Sequence, residues 1–189
     1  MNENELVRLA QEGDKSALSQ IIQRYEKKIY NFALRYLHNK EDAEDVLQET
    51  FLSVLKAIKT FKGRSSLATW IYRIASNAAL MKLRSRKRVF DSFDEDTVDM
   101  SRDYQSINSK LAESPFDIIN DKDLVEKIVD HLDHLPPKHR SVFMLRDIEG
   151  FSAKEVSEML NMTILAVKSN LRRARIALRD NLSDELAEY

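Results

Sequence analysis

This 189-residue sequence predicts an all-α fold, two small helical domains joined by a flexible acidic linker, with a helix-turn-helix in the second. Three observations lead there. Only three Gly and three Pro interrupt a chain rich in Leu, Ala, Glu, Lys and Arg, which are strong helix formers. Apolar residues recur at i, i+3, i+4 and i+7 along most of its length, with few clean period-two runs, so no sheet is expected. The rhythm lapses between residues 91 and 115, where the residues turn polar and acidic. The expected units are therefore residues 1–90, a linker over 91–115, and residues 116–189.

Residues 3–11 make a short helix with Leu6, Val7, Leu9 and Ala10 inward, broken at Gly13. Asp14 caps a longer helix over 15–38, where Ala17, Leu18, Ile21, Ile22, Tyr25, Ile29, Phe32, Ala33, Tyr36 and Leu37 face a core. Asn39 caps a third over 40–61, whose first turns carry Glu41, Asp42, Glu44 and Asp45 where the helix dipole favours anions. Val46, Leu47, Thr50, Phe51, Val54, Leu55 and Ile58 fill its inner side. Asp45, Gln48, Glu49 and Leu52 line another face, which reads either as solvated surface or as a docking ridge for a basic or mixed partner helix.

Residues 61–88, FKGRSSLATWIYRIASNAALMKLRSRKR, contain eight cations and no acid. Ser65 or Ser66 is the expected N-cap of a helix that buries Leu67, Trp70, Ile71, Ile74, Ala75, Ala78, Leu80 and Met81. Its other face holds Thr69, Tyr72, Arg73, Ser76, Asn77 and Lys82, a mixture suited to phosphates and exposed bases, or simply a solvated basic face. The linker that follows carries Asp91, Asp94, Glu95, Asp96, Asp99 and Asp103, with Phe90, Phe93 and Tyr104 as scattered aromatics.

Helical rhythm returns over 116–135, with Ile118, Ile119, Leu124, Val125, Ile128, Val129 and Leu132 inward, until Pro136 and Pro137 stop it. A helix over 138–148 packs Val142, Phe143 and Leu145 and presents Arg140 and Arg146. Ser152 with Glu155 forms a capping box for a short helix over 153–160, with Val156 and Leu160 inward. Asn161 and Met162 turn the chain. Thr163 then caps a helix from 164 to about 182, with Val167, Leu171, Ala174, Ile176 and Leu178 on its apolar side and Lys168, Arg172, Arg173, Arg175 and Arg179 on the other. Two short helices about a tight turn, the second basic, form a helix-turn-helix with a recognition helix.

Composition limits the chemistry. With no cysteine there are no disulfides, thiol nucleophiles or cysteine zinc sites, and the charged N-terminal stretch lacks a signal-peptide core. No apolar run approaches the roughly 20 residues of a membrane helix, so a cytoplasmic protein without membrane insertion is expected. A net charge of −1 hides a basic block at 62–88, an acidic stretch at 91–123 and a basic C-terminal helix.

Together the motifs resemble the sigma-seventy class of bacterial transcription initiation factors, and the short two-domain plan resembles its extracytoplasmic-function (ECF) subfamily. The resemblance rests on DAEDVLQETFLSVLKAI at 42–58, the basic block at 61–88, LPPKHRSVFMLRDIEGFSAKEVSEML at 135–160 and VKSNLRRARIAL at 167–178. It implies that residues 1–90 dock on core RNA polymerase, at the clamp helices of the largest subunit, through Asp45, Gln48, Glu49, Phe51 and Leu55. It implies further that Phe61, Lys62, Arg64, Arg73, Asn77, Lys82 and Arg84 recognise the minus-ten element and hold the melted non-template strand. Asn77 and Phe61 match residues that pocket a flipped base, the amide reading its edge and the ring stacking on it. Trp70 is assigned to the core before DNA.

By the same resemblance the second unit, which meets the flap of the second-largest subunit, reads the minus-35 duplex through Arg146, Lys168, Ser169, Arg172 and Arg173, with arginines suited to guanine O6 and N7. Two departures stand out: Thr163 where the family usually has a nearby Pro, and Asn170 in place of a frequent arginine. The linker would thread toward the polymerase cleft and RNA exit path, although a plain spacer has the same composition. Family habit also suggests an anti-sigma protein that clamps the two units.

The carboxylates of the third helix invite an enzymatic reading, but they lack the Glu-x-x-His pairs of a di-metal bundle. His131, His134 and His139 are expected at the surface beside the Pro-Pro break rather than on a metal. With no nucleophile triad, P-loop or Gly-rich cradle, catalysis, metals and cofactors are not expected. The alternative function is a stand-alone helix-turn-helix regulator that binds duplex DNA without polymerase, which predicts a palindromic site and a steep salt slope.

Overall fold

A polar cap in front and a left-handed residue behind delimit the first helices. The computed structural model describes residues 2–91 and 131–187, the side chains of 86–91 and 181–187 excepted. The expectations for the acidic linker and for a helix over 116–130 lie outside those residues.

Helix α1 (Glu3–Glu12) starts where Asn2 accepts from the Glu5 amide and stops at Gly13, whose φ of 96° a side chain would disfavour. Helix α2 (Lys15–Leu37) is capped by Asp14 and ended by His38 at φ 50°. Helix α3 (Lys40–Ala57) is capped by Asn39. The continuous helix expected over 40–61 tightens into a 3-10 turn, Ile58–Thr60, where the Thr60 hydroxyl donates back to the Ala57 carbonyl at 2.8 Å. Helix α4 (Leu67–Asp91) takes Ser66 as its cap, with the Thr69 amide donating to Ser66 Oγ at 3.0 Å.

These four helices bury one another's apolar stripes. Ile21, Ile29, Phe32, Ala43, Val46, Val54, Ile58, Ile71 and Ala75 meet in the centre, and Leu6 and Ala10 of α1 close one end. Phe51, expected both as core and as docking residue, belongs to this core.

The described part of the C-terminal unit begins with a 3-10 turn, His131–His134, within the stretch where an α-helix was expected. Helix α5 (Pro137–Phe143) has Pro at its first position, where a missing N–H costs nothing. The helix expected over 138–148 then widens into a π turn, Met144–Ile148, because the Glu149 amide reaches back to the Met144 carbonyl at 2.9 Å. Helix α6 (Ala153–Leu160) carries the Ser152–Glu155 capping box, and helix α7 (Ile164–Ala187) begins where the Ala166 amide donates to Thr163 Oγ1 at 3.1 Å. Asn161 between them sits at φ 51°. No strand occurs among the described residues.

The two units pack on each other. Helices α5 and α6 lie against α4, and the Tyr36 hydroxyl of α2 meets Ser141 Oγ at 2.6 Å in a buried contact. Arg140, expected to be presented to solvent, is only 1% exposed. Its guanidinium donates to the Tyr36 carbonyl at 2.7 Å, to the Leu132 carbonyl at 2.8 Å and to Asp133, so it works as an internal strut. Its charge is compensated by one carboxylate and two carbonyl dipoles.

Candidate nucleic-acid interface

Helix α3 turns Asp45, Gln48, Glu49, Leu52 and Leu55 to solvent. Leu52 is 54% and Leu55 41% exposed, two aliphatic side chains beside carboxylates and an amide on successive turns. Leu55, expected both on the inner side and among the docking residues, lies on this ridge. Phe51 points the other way and is removed from it.

The loop before α4 is held from behind. Gln11 of α1 donates to the carbonyls of Ile58 at 3.1 Å and Phe61 at 2.7 Å, which fixes the backbone that presents Phe61, Lys62 and Arg64. Gly63 turns there at φ 63°. The half-buried Phe61 ring rests on Trp70, centroids 4.9 Å apart, leaving Trp70 half-buried rather than fully in the core. Arg73, Asn77 and Arg84 are exposed on α4, and Met81, expected inside, is 66% exposed on the same stripe.

Three residues expected on the open face of α4 are buried: Thr69, Tyr72 and Ser76. For Thr69 and Tyr72 the partner is the C-terminal unit, while the Ser76 hydroxyl donates to the Arg73 carbonyl of its own helix at 3.2 Å. Thr69 donates to Glu155 at 3.0 Å, Tyr72 donates to Glu149 at 2.6 Å, and Phe151 lies edge-on to the Tyr72 ring at 4.8 Å. Arg35 of α2 completes the cluster with a 2.9 Å ion pair to Glu149. Burial pushes the Glu149 carboxyl up, while the Tyr72 hydroxyl and the Arg35 guanidinium draw it back down. Burial and the neighbouring carboxylate raise the Tyr72 phenol, which stays a donor.

Lys82, expected among the DNA contacts, is engaged within the protein. It reaches Asp45 at 2.6 Å and Asp42 at 3.3 Å, strapping α4 to α3. The hydrogen bond to Asp45 holds its ammonium above the usual lysine range.

In the helix-turn-helix, Val167, Leu171, Ala174 and Leu178 anchor α7, while Lys168, Ser169, Arg172 and Arg173 are exposed. Arg146 is half-buried and donates to the Phe151 carbonyl, bracing the turn before α6. Asn170 donates to the Ala166 carbonyl at 2.8 Å, and so is turned back along its own helix. Arg175 forms a fork to Asp147, both bonds 2.8 Å, which ties α7 to the π turn. His131 and His134 lie beside each other, ring centroids 6.3 Å apart, and no cluster of three metal-binding side chains occurs among the described residues.

Neither periodicity nor capping signals point to the Gln11 brace, the Glu149 cluster or the Arg140 strut. Each joins residues distant in the chain.

An acidic and apolar ridge on one unit, a basic loop and helix beside it, and a basic recognition helix on the other define a DNA-binding protein that also docks on a further protein. Family models agree: residues 21–89 match Sigma-70 region 2 and residues 126–178 match Sigma-70 region 4. The chain is 31% identical to the ECF RNA polymerase sigma factor SigW of Bacillus subtilis, covering 94% of this chain and 95% of that protein. It is 30% identical to the RNA polymerase sigma-H factor of Pseudomonas aeruginosa, over 98% and 96%. The fold resembles CnrH, solved in complex with the cytosolic domain of CnrY, with a TM-score of 0.67 and 21% identity over 95% and 96% of the two chains. It also resembles the sigma factor RpoE of Bartonella quintana, solved with the anti-sigma factor NepR, with a TM-score of 0.63 and 21% identity over 87% and 96%. The chain belongs to the sigma-70 family of RNA polymerase sigma factors, in its ECF subfamily. It is a transcription initiation factor that binds core RNA polymerase and directs it to promoter DNA. No described helix is long and apolar enough to cross a membrane.

Proposed function

We propose a division of labour among three surfaces. The α3 ridge, Asp45, Gln48, Glu49, Leu52 and Leu55, docks on the clamp helices of the polymerase, the acids and amide meeting cations on that coiled coil and the leucines filling apolar gaps between them. Phe61, Lys62, Arg64, Arg73, Asn77 and Arg84 take the minus-ten element. Asn77 reads an extruded base and Phe61 stacks on it, at about 1–3 kcal/mol for the stacked base, while the cations hold phosphates. Phe51 and Lys82 take no part in these contacts; one is core and the other a strap.

Lys168, Ser169, Arg172 and Arg173 read the minus-35 duplex, and Arg146 supports them from beneath. The recognition helix stays open to solvent while the C-terminal unit lies on α4, so this packing leaves the minus-35 surface free. An anti-sigma protein is the expected inhibitor, in line with the two solved relatives that carry such partners or a cytosolic partner domain. The protein performs no catalytic step of its own and works in the cytoplasm, where chromosome and polymerase are.

The observation that carries this reading is the exposed leucine pair of α3 beside Gln48 and Glu49, which a stand-alone regulator does not need. The test compares two variants in polymerase binding and promoter opening. Gln48→Ala with Glu49→Ala is expected to lose core binding, and Asn77→Ala to bind core normally yet open promoters poorly. Equal loss of both activities in both variants would sink the division of labour.

A further inference from the structure

The first turn of the recognition helix carries an aliphatic pair that the cationic reading of this surface leaves unused. Leu165 is 78% exposed, more than any other large apolar side chain among the described residues, and its neighbour Ile164 is 45% exposed. A lone exposed leucine needs no explanation. This one has a specific position.

Leu165 stands three, four and seven residues before Lys168, Ser169 and Arg172, so the four share one face of α7, and all are exposed. Val167 and Leu171, on the opposite face, are buried against the rest of the unit. The helix start is fixed by the Thr163 cap, and the turn before it by Asn161 in its left-handed conformation. The aliphatic pair is therefore held at the N-terminal end of the face that carries the DNA-facing cations.

In a helix-turn-helix, that N-terminal end is the part that reaches base edges in the major groove. The groove offers a leucine one distinctive apolar feature, the C5 methyl of thymine. We propose that Leu165, flanked by Ile164, is a specificity-determining residue that packs on a thymine methyl in the minus-35 element. Thymine is then selected next to the bases read by Lys168 and Arg172. The inference rests on the reading of α7 as the minus-35 recognition helix.

The test is a methyl-deletion scan. Run-off transcription by the polymerase holoenzyme on a promoter library first defines the minus-35 element, and each thymine in it is then replaced singly by deoxyuridine, which removes the methyl and keeps the pairing. At one position the loss is expected to be about fourfold, the effect of uncovering one methyl-sized group. The Leu165→Ala holoenzyme should initiate about fourfold less on the thymine promoter and be indifferent to deoxyuridine at that position.

The proposal is overturned if no minus-35 thymine responds to methyl removal, or if Leu165→Ala keeps the full deoxyuridine penalty. A loss of core binding by Leu165→Ala with base preference unchanged also overturns it, since Leu165 would then face a protein. Arg172→Ala serves as the control for the reading beneath. If that variant leaves all minus-35 selection intact, it is the placing of α7 on DNA that fails.

Discussion

Tyr72 of α4 donates its hydroxyl to Glu149 of the C-terminal unit at 2.6 Å, a partly buried bond between residues 77 positions apart that joins the two halves of the protein. Arg35 holds the same carboxylate from the other side at 2.9 Å. Tyr72→Phe leaves the ring packing on Phe32 and Phe151 and removes one hydrogen bond to a charged acceptor. It is expected to cost about 1.5–3 kcal/mol of packing free energy between the units. Faster hydrogen exchange at α6 amides, with α1 to α3 unchanged, is the expected reading; unchanged exchange at α6 would show that the bond contributes nothing.

Arg140 is the most deeply buried cation among the described residues, and its removal strands the Tyr36 carbonyl that it caps, while the Leu132 carbonyl keeps the Leu135 amide. Arg140→Met is expected to lose about 1–3 kcal/mol in urea denaturation, the cost of one buried carbonyl left without a donor. Arg140→Lys should recover only part, because a point charge cannot serve three separated acceptors at once. Full recovery by lysine would contradict the strut.

Lys82 is tied to α3, whereas Arg73 on the same helix is exposed. Arg73→Ala is expected to lower the salt dependence of holoenzyme binding to the minus-ten region by about one phosphate contact. Lys82→Gln should leave that slope unchanged and cost about 0.2–1 kcal/mol of stability, as a partly exposed ion pair does. A fall in slope with Lys82→Gln would return Lys82 to the DNA surface.

His139 introduces a pH dependence. Burial, with the Arg173 charge nearby, holds its imidazole below the usual histidine range. The unfolded chain therefore binds the proton more readily than the folded one, so His139 contributes stability above pH 6.5 that is lost as pH falls below that value. His139→Gln should flatten the stability profile just below pH 6.5. A profile as steep as that of the parent would place the dependence elsewhere.

Much of this molecule was legible in advance. Caps at Asp14, Asn39, Ser152 and Thr163 and the periodicity of α2 and α7 are local signals, and local hydrogen bonds honour them. The ridge residues Gln48 and Glu49 and the cations Arg73, Arg172 and Arg173 are exposed where spacing put them. What escaped was long-range. Periodicity gave α4 one buried face, whereas the C-terminal unit meets Thr69 and Tyr72 on another. Spacing also cannot tell an arginine that seeks phosphate from one that caps carbonyls within its own chain, which is why Arg140 read as a surface cation. The π turn at Met144–Ile148 likewise depends on the Glu149 amide bond, for which a helical pattern holds no sign.

The most direct measurement is run-off transcription from a promoter library with sigma-free core polymerase, with and without this protein. Defined new start sites that share two upstream motifs at a fixed spacing are the expected result. No new initiation, together with tight binding of duplex DNA by the protein alone, would contradict the account and make the chain a stand-alone regulator.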